Sequence, residues 1–198
     1  MTEPDPTRAS SKVQVDYHAF ELTDSDNRDP MGFDASNGLI FSRPGHSVIC
    51  TGISGGQVNV DVESRTSPPT HVDSGAWDEV VDHSVETLTG ALRVTCVMND
   101  PPDLPHLTLQ GPGTYRIRVH ARGRDTAPDG VAFEPVEDYL LIVWPAEPRP
   151  DTVHKQTDGY GAELRAGPSV PAPVIPVDDT DDEHRRRIRE RLQRRRTP

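Results

Sequence analysis

The chain has 198 residues, and its hydrophobic fraction of 33% is low against the roughly 45–50% of apolar residues, glycine included, in an average domain. With 20 prolines, this predicts one packed domain with unpacked segments. No secretory signal peptide or membrane-spanning run is present, so we expect a cytoplasmic protein. Residues 12–150 carry 21 acidic and 10 basic residues of a chain with net charge −11, so this part should repel nucleic acid.

Short runs of β-branched and aromatic residues begin after a polar, proline-containing N-terminus, residues 1–11, which we expect to be disordered. These runs alternate with turns rich in Gly, Pro, Asp and Ser. The predicted strands span 13–22, 38–42, 46–52, 57–64, 77–85, 91–98, 114–122 and 138–145. The first run changes phase after Tyr17, which a β-bulge near His18 or Ala19 would explain.

Polar and apolar residues alternate along most of these runs. Val58, Val60 and Val62 share one face of their strand, and the residues between them are polar. Strands with one dry and one wet face build antiparallel sheets that pack in pairs. The run 140–144 is apolar on both faces, as in a central strand that is covered on both sides. We therefore predict an all-β fold, an antiparallel β-sandwich of about eight strands over residues 12–147.

Few residues of the sequence indicate catalysis, metal binding or cofactor binding. Cys50 and Cys96 lie in apolar runs, so we expect reduced core side chains, with a disulfide as the alternative if their strands are neighbours. The histidines lack zinc-site spacing, and no nucleophile elbow, P-loop or dinucleotide-binding motif occurs. The segment 52–56 resembles a glycine-rich loop, but no helix follows it, so it predicts a hairpin turn. We expect a protein that is not an enzyme and holds no cofactor or metal.

Cationic side chains alternate along the strand 114–122, and one more follows it. These candidate binding residues are Arg116, Arg118, His120, Arg122 and Arg124. Period-two spacing places the first four on one face of the strand. This face could bind an anion or an acidic partner. Alternatively, it is an exposed face whose cations pair across the sheet with acids such as Asp61 and Glu63.

The composition changes after residue 147. Residues 148–179 are rich in proline and lack periodicity, which predicts an extended linker. Residues 180–198 contain a capping box followed by eight arginines, which favours a short basic helix over 181–196. This tail could dock on an acidic protein, nucleic acid or an anionic membrane, or fold back on the acidic domain, or only solvate the chain. Its candidate binding residues are Arg187, Ile188, Arg191, Leu192 and Arg195.

Several strand segments carry a resemblance to a known family. They are the Tyr17, His18 and Phe20 set, the apolar strand 38–41, the strand entry 111–115 and the closing strand 138–145. Over residues 13–145 the sequence resembles the ComJ family, the competence-protein J type of nuclease inhibitor. The resemblance implies a small β-rich intracellular protein that restrains a DNA-degrading partner. The arginine-bearing strand and the C-terminal tail are not part of that family pattern.

These observations favour a non-catalytic protein-binding module that inhibits a basic, nuclease-like protein, because an acidic surface complements a groove built to hold phosphates. The alternative is an assembly or adaptor protein whose Pro-rich and Arg-rich tail docks a partner. Direct nucleic-acid binding by the tail is a third hypothesis, and the acidic domain opposes it. The cations at 116–124 argue against a surface that mimics DNA throughout.

Overall fold

A computed structural model describes residues 6–24 and 31–173 of the chain. Within these ranges it contains eleven strands and one helix. They are β1 Thr7–Asp16, β2 Ala19–Thr23, β3 Ile40–Arg43, β4 His46–Cys50, β5 Gly55–Ser64, β6 Glu79–Thr87, β7 Arg93–Thr95, β8 Gly113–Arg122, β9 Val131–Ala132, β10 Asp138–Pro145, β11 Thr152–Gln156 and α1 Gly159–Ala166.

All eleven strands belong to one sheet. Nine of them follow the order β11-β6-β8-β10-β5-β1-β2-β4-β3, while β7 pairs with β2 and β9 pairs with β5. Most neighbours are antiparallel, but β5 runs parallel to both β10 and β9. The central strand β5 is thus hydrogen-bonded to β1 on one side and to β10 on the other.

The sheet curls into a half-barrel, so the predicted β-sandwich of two packed antiparallel sheets is wrong in its layering. The curl brings β4 and β3 into contact with β6, although they lie six and seven strands away in the sheet order. Alternating residues give a strand one dry face in a sandwich and in a curled sheet alike, so the sequence pattern does not separate the two architectures.

The dry face of the sheet encloses one hydrophobic core. Val58 and Val60 of β5, Val119 of β8 and Leu141 of β10 are all fully buried there. The alternation predicted for β5 is therefore confirmed, whereas β8 is buried on both faces. Cys50 and Cys96 are buried free thiols, and burial raises the pKa of the Cys50 thiol to about 12.

The first predicted strand is two strands joined by a turn, and the expected bulge near His18 is absent from it. Asp16 pairs with Ala19, so Tyr17 and His18 form a two-residue hairpin turn. Residues 7–11, which we expected to be disordered, belong to β1 and pair with β5. The segment 52–56 is likewise no hairpin turn, because β4 and β5 have different partners in the sheet.

Residues 148–179, predicted as an extended linker, contain β11 and the helix α1. The all-β prediction is therefore corrected by one helix. Asp158 caps its N-terminus by accepting a hydrogen bond from the Gly161 amide at 2.8 Å. The amide of Gly167 donates to the Glu163 carbonyl oxygen at the other end. The predicted basic helix 181–196 lies outside the described residues.

Candidate functional site

The cationic row predicted on β8 is largely buried. Arg116 and Arg118 are each 5% exposed, and His120 is 1% exposed. The side chain of Arg116 donates to the carbonyl oxygens of Arg149 and Pro150, and Arg118 donates to that of His71. Chain segments on either side therefore cover this face of β8, and the expectation of an exposed cationic face is wrong.

The partner of Arg118 is Asp82 on β6, at 2.6 and 3.0 Å in a two-pronged ion pair. Burial alone would raise the pKa of Asp82, but the hydrogen bonds and charges of Arg118 and His154 hold it below its ordinary value. The acids expected to pair with this row have other partners: Asp61 accepts from Ser10, and Glu63 binds Arg8 and Arg65.

Arg122 is the member of the row that reaches solvent, with 46% of its side chain exposed. It pairs with Asp138 at 2.8 Å, and its guanidinium lies 5.1 Å from the centre of the Trp77 ring. His120 packs beside the same ring. Burial lowers the pKa of His120, and its Nδ1–H donates to the Leu140 carbonyl oxygen.

Arg124 is the most enclosed cation of the set, with no solvent exposure. Its guanidinium donates to both carboxylate oxygens of Asp158, at 2.6 and 2.9 Å, and to the carbonyl oxygens of Gly38 and Cys50. Glu79 lies against the same cluster and pairs with Arg165 of α1 at 3.1 Å. These pairs fasten α1 to the sheet, so Arg124 acts as an internal anchor of the fold.

The other candidate binding residues of the sequence analysis lie in the tail. Arg187, Ile188, Arg191, Leu192 and Arg195 are outside the described residues. Their role in binding stays a prediction.

A different part of the surface exposes large apolar side chains. Tyr17 is 76% exposed, Val131 is 63% exposed and Phe133 is 85% exposed. Asp16 pairs with Gly55 and Gly55 pairs with Val131, so β1, β5 and β9 bring these residues to the same end of the sheet. We call Tyr17, Val131 and Phe133 the apolar tip. Exposed apolar clusters rimmed by polar residues mark binding sites on soluble proteins.

The turn that presents Tyr17 has an unfavourable backbone. Tyr17 and His18 have φ angles of 55° and 61°, in the left-handed region. A type I′ hairpin turn needs positive φ at both positions and favours Asn-Gly there. Hydrogen bonds to neighbouring segments keep the turn in this conformation. The His18 amide donates to the Ser54 carbonyl oxygen, and the His18 carbonyl oxygen accepts from the Thr51 amide.

Acidic side chains surround the apolar tip. The carboxylates of Asp129 and Glu134 are 86% and 87% exposed as side chains. His18 contacts Asp129 at 3.3 Å, and Lys12 contacts Glu134 at 3.0 Å. The arrangement offers aromatic contact area with negative charge at its rim, which suits a positively charged partner.

The apolar tip is not among the candidate binding residues predicted from the sequence. Tyr17 fitted the alternation of a predicted strand, and Phe133 lay between two predicted strands. A signal was nevertheless present, because Val131 and Phe133 are large apolar residues in a segment rich in turn formers and acids.

No cofactor or metal site emerges from the described part of the chain. Among residues 6–24 and 31–173, no group of three or more His, Cys, Asp or Glu side chains is placed to hold a metal ion. Within the same residues, the one helix is too short and too polar to cross a membrane.

Fold and surface together define a β-rich half-barrel with internally paired cations and an exposed apolar tip. The same fold occurs in the crystal structure of ComJ, inhibitor of the DNA degrading activity of NucA, from Bacillus subtilis, with a TM-score of 0.51 and 11% sequence identity over 72% of this chain and 100% of ComJ. The resemblance to the ComJ family is therefore confirmed at the level of the fold.

A second solved structure, described as crocagin biosynthetic gene J, aligns with a TM-score of 0.46 and 13% identity over 73% of this chain and 100% of that one. No protein-family model matches the sequence, and no curated protein matches it.

Proposed function

We propose that this protein acts by binding another protein at the apolar tip and that its partner is basic and nuclease-like. The observation that carries this proposal is the pair of exposed aromatic side chains, Tyr17 and Phe133, beside exposed carboxylates. A role in binding requires no reaction. The two free cysteines suit a reducing compartment, so we place the protein in the cytoplasm.

Aromatic side chains supply much of the free energy of protein association, since each buries a large area and loses few rotamers. Carboxylates at the rim add long-range attraction for a cationic partner and speed the encounter. The net charge of −11 extends that attraction beyond the tip. A nuclease is a suitable partner because its DNA-binding groove is positively charged.

The likeness to ComJ supports the same proposal. That protein is an inhibitor of the DNA-degrading activity of NucA, and its whole length aligns with this chain. For the present chain we infer a comparable mode of action, in which the acidic tip occupies a basic groove and keeps DNA out of it.

Affinity capture from the native host, with the full chain as bait, tests this proposal. The captured protein should be basic, and adding the chain should inhibit its degradation of DNA at a one-to-one ratio. Phe133→Ser should weaken the complex roughly tenfold or more. Leu109→Ser is the matched control, because Leu109 is 46% exposed and lies away from the tip. Equal capture by the wild type and Phe133→Ser would contradict the proposal.

A variant that lacks residues 174–198 separates this proposal from the tail-docking adaptor. The cut is placed after residue 173, because cutting near residue 150 would remove Asp158, the partner of the buried Arg124. Loss of the partner on this deletion, with capture retained by Phe133→Ser, would assign recognition to the tail. Loss of capture in Phe133→Ser, with capture retained by the deletion variant, supports recognition of the partner by the apolar tip.

A further inference from the structure

Three polar side chains meet where the curled sheet closes on itself. Ser42 lies on β3, His83 on β6 and Asp151 just before β11. The hydroxyl oxygen of Ser42 lies 2.7 Å from Nε2 of His83. On the other side of the same ring, Nδ1 lies 2.7 Å from Oδ1 of Asp151. The three groups therefore form a continuous hydrogen-bonded chain in the order Ser, His, Asp.

The carboxylate fixes the direction of hydrogen bonding along this chain. Asp151 accepts a hydrogen bond from Nδ1–H of His83, so in the neutral ring Nε2 carries the lone pair and is an acceptor for the Ser42 hydroxyl. The same hydroxyl also lies 3.3 Å from the Ser84 carbonyl oxygen, its other acceptor. The second oxygen of Asp151 accepts from the Asn37 side-chain amide at 2.6 Å. Burial would raise the pKa of Asp151, but the hydrogen bonds from His83 and Asn37 hold it below its ordinary value. The carboxylate is thus charged and fixed in position.

Ser42 also opens onto a cleft. The cleft has a volume of about 210 Å³ and is lined by Ser42, Arg43, Pro44, Ser84, Val85, Glu86, Thr114 and Pro148. This is smaller than the ~300–1,000 Å³ of most ligand pockets, so it suits a short acyl group. Arg43, the residue after Ser42, also lies in the wall and contributes positive charge to the cleft. Glu86, also in the wall, disfavours anionic substrates.

A purely structural reading is that the chain only fastens β3 to β6. That role needs hydrogen bonds but neither a cleft beside the hydroxyl nor a carboxylate aligned behind the imidazole. A nucleophile within hydrogen-bond distance of a base, with the base oriented by a third group, is the geometry of covalent catalysis. The combination of both distances with the cleft favours the chemical reading.

We propose that Ser42 and His83 are a nucleophile and its general base, positioned by Asp151, and that they hydrolyse small neutral carboxylic esters in this cleft. This activity goes beyond the proposed binding function and does not rest on it. No part of the apolar tip takes part in it.

The reaction proceeds in two balanced halves. The Ser42 oxygen attacks the ester carbonyl carbon while its proton passes to Nε2 of His83. Collapse of the tetrahedral adduct breaks the bond to the alcohol oxygen, which takes that proton and leaves. A water molecule then gives a proton to Nε2 and attacks the acyl group on Ser42. The acid is released, and the proton returns to the Ser42 oxygen.

A fluorophosphonate probe tests the site directly on the full chain. Ser42 should form a covalent bond to phosphorus with loss of fluoride, and peptide mass spectrometry locates the adduct. Ser42→Ala should abolish labelling, and His83→Gln should slow it on the order of 100-fold. Ser54→Ala is the matched control, because the Ser54 hydroxyl donates to backbone carbonyl oxygens of residues 129 and 130.

Asp151 acts through His83, so a conservative replacement examines its role. Asp151→Glu should retain part of the labelling rate, whereas Asp151→Asn should lose it, at matched melting temperatures. The wild type should also release p-nitrophenolate from p-nitrophenyl acetate, and Ser42→Ala should not. An absent adduct at Ser42 in the folded wild type, or an adduct whose rate His83→Gln leaves unchanged, overturns the proposal. Partner capture by Ser42→Ala should be normal.

Discussion

Charged side chains are buried along β8, whereas aromatic side chains are exposed at the apolar tip. Arg118 and Arg124 are buried with their carboxylate partners, so the energetic cost of their desolvation is offset inside the protein. Tyr17 and Phe133 have no comparable cover and remain available to a partner. Charge alone thus does not identify a binding surface. What identifies one is whether each exposed or buried side chain already has a partner within the protein.

The largest loss of stability should come from breaking the buried ion pair between Arg124 and Asp158. Arg124→Met keeps much of the side-chain volume but removes the guanidinium that neutralises the buried Asp158 carboxylate and donates to two backbone carbonyl oxygens. Removing one partner of such a pair costs about 3–5 kcal/mol of unfolding free energy, measured by urea denaturation. The control is Arg122→Met, which removes an exposed pair worth ~0–1 kcal/mol. Equal losses in both variants would show that burial does not set the energetic contribution of these arginines.

A smaller effect should appear in the way the free energy of unfolding depends on pH. Burial, together with the charge and hydrogen bond of Asp158, raises the pKa of Glu79 from 4.5 to about 7. Between pH 4.5 and 7, Glu79 therefore keeps its proton in the folded state but loses it in the unfolded state. The resulting stabilisation of the folded state is fully present below pH 4.5 and is lost as the pH rises through 7.

Glu79→Gln replaces the protonated acid with a permanent neutral donor and should remove this slope. Relative to the variant, we expect the wild type to lose about 1–2 kcal/mol of unfolding free energy between pH 5 and pH 7. Parallel stability curves for the two proteins over that interval, from denaturation at each pH, would show that Glu79 is ionised throughout.

The smallest change in stability should occur at the tip. Asn adopts positive φ more readily than Tyr, so Tyr17→Asn should relieve strain in the turn and stabilise the fold by about 0.5 kcal/mol. The same substitution removes an exposed aromatic ring and should weaken partner binding severalfold. Thermal unfolding and a binding titration on one preparation measure both. Weaker binding together with lower stability would mean that Tyr17 supports the fold instead.

Local alternation in the sequence was sufficient to predict β5 and β8, because a strand's own residues record which face is dry. Alternation does not record what covers the other face. Arg116 and Arg118 have the sequence pattern of solvent-exposed residues, yet β6 and the segment around residues 149–150 enclose them. Those contacts join residues more than thirty positions apart, and no local pattern contains them.

The same limit applies to the turn at Tyr17 and to the Ser42 cluster. Tyr17-His18 lacks the Asn-Gly signature of a two-residue turn, so the sequence predicted a bulge where the chain reverses. Ser42 and His83 are 41 positions apart, and His83 and Asp151 are 68 apart. Sequence motifs are defined by short, fixed spacings, so they do not detect a set of residues separated by such distances in the chain. The curl of the sheet, which the sequence pattern did not specify, brings these residues together.

The position of β5 at the centre of the sheet has a consequence for biosynthesis. Its neighbours β1 and β10 come from opposite ends of the described chain, so one edge of β5 stays unpaired until residues 138–145 leave the ribosome. Pairings between residues so distant in sequence form slowly. During that interval a hydrophobic strand with free amides and carbonyls is exposed, and the nascent chain is then most open to mispairing with other chains.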